Sequence, residues 1–305
     1  MNLLSRLTQF KALVQAQTTM LSALPFILGM IFAGFYYHNI NWGLSLLLLV
    51  AAILFHLAVN GHNQVTDFMR YQNTPDTTES TNNIIKRFNI PLNWAKGVIV
   101  ILTALAALIG LWLTWLSGWP LLLLGGLSFL VGYAYSGGPL PILKSPFGEI
   151  ASGLAMGLNI TLIGLYINIY NTATFANAFW LKGLIISLPA IFTIANIMLA
   201  NNICDLAEDQ LTGRKTLVYY LGIKASLKLL CANYIFSYLG IILATCLGYL
   251  PWLALGSLLT IPPVYQKIKV FVEKPQKTTT FFNNLIALHL ILISLLLFSL
   301  LGIWL

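Results

Sequence analysis

Apolar residues run along this chain in long unbroken stretches separated by short polar segments. Nine stretches can be marked, at approximately 19–37, 42–65, 95–116, 119–135, 147–169, 183–203, 225–247, 252–270 and 281–304. Each comes close to the roughly 20 residues a helix needs to cross the hydrocarbon layer of a bilayer. None shows the ten-residue alternation of an outer-membrane barrel strand. Within lipid only a helix closes its own backbone hydrogen bonds over such a run. The pattern predicts an all-α membrane protein with nine transmembrane helices.

The polar segments orient the bundle. Counting loops from the N-terminus, the basic residues gather before the first stretch (Arg6, Lys11) and in every even loop. These hold Arg70, Lys86, Arg87 and Lys96; Lys144; Arg214 and Lys215, with Lys224 and Lys228 close behind; and Lys267, Lys269, Lys274 and Lys277. Lys182 alone of the 16 falls on the other face. By the positive-inside rule this predicts a cytoplasmic N-terminus in the inner membrane. All eight acidic residues lie in or beside the same loops. Carboxylates contribute little to topology, so their clustering points to polar chemistry on one side.

Composition sharpens the class. Of the 305 residues 58% are hydrophobic and 8% charged, with a mean hydropathy of +0.84, against about 25% charged in soluble domains. The formal charge of +8 suits anionic lipid headgroups, and no soluble basic domain is present to bind nucleic acid. The three cysteines form no CxxC pair and the four histidines no HExxH spacing, which argues against a zinc site. The polar segment 1–19 has no small-residue cleavage site and reads as a mature cytoplasmic end.

Two clusters carry candidate chemistry. The sixth loop opens Asn201-Asn202-Ile203-Cys204-Asp205-Leu206-Ala207-Glu208-Asp209 and continues to Gly213-Arg214-Lys215-Thr216-Leu217. If the sixth stretch continues as helix, Asn201, Asp205 and Asp209 share one face. Carboxylates four apart repel, more so beside a membrane, so a cation is expected there. Hard oxygen ligands favour magnesium or calcium, and Arg214 and Lys215 offer donors to phosphate oxygens. The second loop echoes this with Asn63-Gln64-Val65-Thr66-Asp67, followed by Asp76. Four stretches separate the clusters, which puts both on one face. The segments 60–76 and 201–217 read as an internal repeat within a single domain spanning 1–305, able to hold two magnesium ions with a diphosphate between them. Each cluster can also be read as a solvated helix cap. The Asn/Thr-rich segment 73–83 reads as a cytoplasmic loop, either surface slack or a cover over the diphosphate.

These residues resemble the UbiA superfamily of intramembrane prenyltransferases, whose members carry Asn-x3-Asp after the second helix and Asp-x3-Asp after the sixth. The likeness covers essentially the whole chain. It is strongest to the branch acting on 1,4-dihydroxy-2-naphthoate in menaquinone synthesis, through the run 201–217 and through Tyr133-Ala134-Tyr135-Ser136-Gly137-Gly138-Pro139-Leu140-Pro141 with Gly148-Glu149. That branch usually reads Asn-Asp-Tyr-x-Asp in its first motif, where this chain has Asn63-Gln64-Val65-Thr66-Asp67. The resemblance implies a nine-helix bundle with a central cavity open to the cytoplasmic side. It implies Mg2+ held by Asn63, Asp67, Asn201, Asp205 and Asp209, and a polyprenyl diphosphate bound by the metal, Arg214 and Lys215. It further implies an aromatic acid as acceptor and loss of that acid's carboxylate on prenylation.

Lys144 is placed to attract an acidic acceptor. Tyr133 and Tyr135 line the cation site, orient a phosphate, or form an interfacial aromatic belt. Glu149 is a base, a partner for a basic residue or a helix-start charge, and His62 an acceptor-site hydrogen-bonding group or a structural one. Two other readings stay open at this point: the same chemistry on another acceptor such as 4-hydroxybenzoate, and an ion-coupled transporter, whose site belongs near the bilayer midplane.

Overall fold

The computed structural model describes residues 3–71, 83–172 and 178–304. Asp76, and all of the segment 73–83 except Asn83, lie outside them. Among the described residues the chain is helical, with no strand. The helices are α1 (Leu3–Val14), α2 (Met20–Tyr36), α3 (Trp42–Tyr71), the short α4 (Ile84–Arg87), α5 (Leu92–Ser117) and α6 (Trp119–Ser136). They continue with α7 (Gly148–Ile169), α8 (Ala178–Leu211), α9 (Leu217–Cys246), α10 (Ile261–Glu273) and α11 (Phe282–Trp304).

Among the described residues eight helices are long and apolar enough to cross a membrane: α2, α3, α5 to α9 and α11. The protein is a multi-pass membrane protein. The stretch expected as an eighth span, 252–270, is not one α-helix. Trp252–Thr260 winds as a 3-10 helix, and α10 begins only at Ile261, with Pro262 and Pro263 in its first turn. Proline has no N–H to donate back and its ring clashes with the preceding turn, so two in succession favour a break in the α-helix here.

α3 has 30 residues and α8 has 34. At 1.5 Å per residue both exceed the roughly 30 Å hydrocarbon layer, so each is long enough for its last turns to project past it. Those turns carry Asn63–Asp67 and Asn201–Asp209, and the expected helical continuation through 201–209 is present.

Packing is by apolar contact with very close approaches. α8 lies against α9, α3 against α5, and α2 against α7. At the last contact a Cβ on Gly29 would come 2.7 Å from the Leu165 nitrogen, and one on Gly164 would overlap the Phe26 carbonyl. Small residues let membrane helices approach where lipid supplies no hydrophobic drive. Buried amides add interhelical bonds: Asn233 Nδ2 donates to Asn196 Oδ1 at 2.9 Å, and Asn159 Nδ2 to Leu124 O at 2.9 Å. A separate cluster (Leu13, Val14, Ala58, Ile85, Ala95, Ile99) seats α1 and α4 beside α3 and α5.

Candidate active site

The ends of α3 and α8 open onto one cavity of about 800 Å3. Asn63, Gln64, Asp67, Asn201, Asp205, Arg214 and Lys277 line its polar part, and Tyr135 stands beside them. Deeper in, the walls are apolar: Leu48, Leu111, Leu121, Phe129 and Ile163. Asn63 and Asp67 thus share a chamber with Asn201 and Asp205, although well over a hundred residues separate the two pairs.

The Asn and Asp side chains are held by neighbours. Asn63 Oδ1 accepts from Ser136 Oγ at 2.6 Å, and Ser136 Oγ accepts from Thr66 Oγ1 at 3.1 Å. Asp67 Oδ1 lies 3.1 Å from Arg70 Nη1, one turn on in α3, while Arg70 Nη2 donates to Ser136 O at 2.8 Å. Asn201 Nδ2 donates to Asp205 Oδ2 at 2.9 Å, and Lys277, from the segment between α10 and α11, donates to both Asn201 Oδ1 and Asp205 Oδ2.

Asp209 continues the same helix face but is fully buried and absent from the cavity wall. Its Oδ1 lies 3.2 Å from Arg214 Nε. Arg214 itself lines the chamber.

The remaining expected residues fall around this centre. Lys144 sits in a single 3-10 turn, Ile142–Lys144, tied to the sixth loop by a backbone bond from Lys215 N to Lys144 O of 3.3 Å. Burial first, then the charges of Arg70 and Arg214, hold its ammonium below the ordinary lysine range, with Asp67 opposing. Lys144 therefore belongs to the electrostatic neighbourhood of the acids without lining the cavity. The side chain of Lys215 is exposed and away from the cavity wall. Tyr133 is off the wall too: its hydroxyl bonds to Thr103 Oγ1, and the ring of His62 meets its edge at 4.8 Å. Glu149 is buried and accepts from Asn202 Nδ2 at 2.8 Å.

Two residues not singled out from the sequence contribute. Arg70 carried a local signal, since it stands three residues after Asp67, the spacing at which helical side chains meet. Lys277 carried none, lying 72 residues from Asp205.

The chain matches the model of the UbiA prenyltransferase family over residues 22–291. It belongs to that family. The chain is 30% identical to the 1,4-dihydroxy-2-naphthoate octaprenyltransferase of Bacillus subtilis (strain 168), over 92% of this chain and 91% of that protein. Its fold is that of the solved family members. A UbiA homolog from Aeropyrum pernix K1 superposes with a TM-score of 0.73 at 17% identity, covering 92% of this chain and 98% of that one. A UbiA homolog from Archaeoglobus fulgidus, bound to GPP and Mg2+, gives 0.65 at 14% identity, over 97% of this chain and 100% of that one.

Proposed function

We propose that this UbiA-family prenyltransferase moves a polyprenyl group from polyprenyl diphosphate to 1,4-dihydroxy-2-naphthoate. The observation that carries the reading is the single cavity in which Asn63, Asp67, Asn201 and Asp205 meet above apolar walls. The Bacillus subtilis relative supplies the acceptor, and the Archaeoglobus fulgidus homolog, with its GPP and Mg2+, supports the donor class.

The residues present fit a magnesium ion. The donor set is carboxylate and carboxamide oxygen, the hard chemistry magnesium takes. A cation already seeks the spot, since the Lys277 ammonium bridges Asn201 Oδ1 and Asp205 Oδ2. Asn63, Asp67, Asn201 and Asp205 are the residues that would hold it, with Asp209 acting from behind through Arg214. When bound, magnesium supplies charge neutralisation to the diphosphate leaving group.

The chain's own residues do the rest. Arg214 lines the chamber, and with Arg70 and Lys144 nearby it binds and orients the diphosphate oxygens. Leu48, Leu111, Leu121 and Ile163 take the isoprenoid and exclude water. Tyr135 lines the same chamber, and its ring would stabilise positive charge developing on the allylic carbon. In the transfer the C–O electron pair leaves with diphosphate, the ring carbon bearing the carboxylate forms the new C–C bond, and carbon dioxide departs as the ring recovers its aromaticity. The cavity mouth faces the cytoplasm in this reading, with the N-terminus on the same side and 252–273 completing a ninth crossing.

The test is product identification by mass. Purified protein is incubated with a long-chain prenyl diphosphate and dihydroxynaphthoate, in parallel with 4-hydroxybenzoate. The expected product is the prenylated naphthalenediol lacking the carboxylate, formed only with magnesium. Prenylation of hydroxybenzoate alone would reassign the acceptor, and absence of any prenylated product would remove the enzyme reading.

A further inference from the structure

The three site acids are each paired with a basic side chain, but not equivalently. Arg70 stands one turn from Asp67 on the same helix, and Arg214 is 11% exposed against a wholly buried Asp209. Lys277 differs on both counts. It arrives from outside the helices of the site, on the turn between α10 and α11, and its side chain is 45% exposed while the Asp205 carboxylate is 11% exposed. Its ammonium, 2.5 Å from Asp205 Oδ2, also bonds Asn201 Oδ1, and the ring of Phe281 lies 5.5 Å away.

We propose that Lys277 is a tethered counter-ion that fills the Asn201–Asp205 oxygens when no divalent ion is bound and is displaced when one binds. This rests on the reading of those oxygens as metal ligands. A lysine ammonium and a divalent ion seek the same two oxygens, and their like charges prevent both from holding them at once. A lysine on a turn with an exposed stem can swing away without moving α8. The substrate-free chamber is thereby kept from presenting an uncompensated carboxylate beside the membrane, where one is costly. The consequence is competition: the divalent ion binds more weakly than the oxygens alone would allow.

The experiment measures metal binding without substrate. Full-length protein in nanodiscs, stripped with chelator, is titrated with Mn2+ while free ion is followed by electron paramagnetic resonance, for wild type, K277Q, K277R and D205N. K277Q should bind about fivefold tighter, the equivalent of one partly screened lysine–carboxylate pair. K277R should stay near wild type, and D205N should lose the site. As a second readout, the thermal midpoint of metal-free K277Q should fall, and Mn2+ should raise it by more than in wild type. Unchanged or weaker Mn2+ binding by K277Q, with D205N still abolishing the site, overturns the role of Lys277 alone. Absence of any Asp205-dependent binding in wild type and K277Q overturns the metal reading, and the displacement with it.

Discussion

The carboxylate of Glu149 and the carboxamide of Asn202 meet at 2.8 Å, each side chain only 3% exposed. Glu149 stands in the first turn of α7, where the helix N-terminus favours a negative charge. Asn202 follows Asn201 on α8, turned away from the cavity. The bond therefore pins α7 to α8 immediately behind the proposed metal ligands. Removing one partner of a buried hydrogen bond leaves the other desolvated, at about 1–3 kcal/mol. Glu149→Ala should lower the thermal unfolding midpoint in detergent clearly, and Glu149→Gln, which keeps an accepting oxygen, should lower it less. A wild-type midpoint for the alanine variant would show that the pair adds nothing to stability.

Asp205 and Asp209 should separate by what their loss does. Asp205 lines the cavity and shares its charge with a half-exposed lysine, so Asp205→Asn should cost under about 1 kcal/mol of stability while turnover falls by about a hundredfold or more. Asp209 is buried against Arg214. Breaking a buried pair leaves an uncompensated charge, at roughly 3–5 kcal/mol. Asp209→Asn should therefore show a large drop in thermal midpoint together with lost activity. Equal midpoints for the two variants would contradict the division.

Much of this arrangement is legible in the sequence because it depends on local periodicity. The run 201–209 announces its shared face through four-residue spacing, and α8 continues far enough to honour it. The two Asn/Asp clusters announce a common side because an even number of apolar stretches of bilayer length lies between them. What escapes is tertiary. Asp209 pairs with Arg214 and stays off the cavity wall, and nothing in an i,i+4 pattern says which carboxylate meets the guanidinium. Lys277 joins Asp205 only because α10 and α11 return the chain to the end of α8. The 3-10 winding of Trp252–Thr260 is hidden because hydropathy is blind to it, although Pro262-Pro263 marks the break. The contact of Gly29 with α7 is equally silent, since a lone glycine in an apolar run carries no label for its neighbour.

A dependence of the site on pH is expected from Lys144. Burial and the two neighbouring arginines hold its ammonium below the ordinary lysine range. A folded pKa below the unfolded one means that the unfolded chain binds more protons between the two values, so this residue's contribution to stability rises with pH across that interval. Anion binding runs the other way, because the diphosphate favours the protonated amine. Equilibrium affinity for the prenyl diphosphate should fall as pH rises toward the ordinary lysine range, starting below it. Lys144→Arg, which stays charged throughout, should flatten that profile. Parallel profiles for the two proteins would remove Lys144 from diphosphate binding.

Room for the isoprenoid should be set by glycine. Gly110 on α5 and Gly125 and Gly126 on α6 all line the apolar part of the cavity, and a Cβ at any of them would meet nothing within 4 Å. None has a positive φ, so no backbone constraint demands glycine at these positions, and side chains placed there would start out into open space. They would then occupy volume that the donor's tail otherwise takes. Filling an apolar pocket discriminates by a factor on the order of ten or more. Gly126→Phe should lower kcat/KM for a long-chain polyprenyl diphosphate about tenfold, yet spare geranyl diphosphate, whose tail stops short of the obstruction. The comparison is internal to one variant, so a general loss of folded protein lowers both donors together and is recognised as such. An equal loss with both donors in fully folded protein would place the tail along another wall of the cavity.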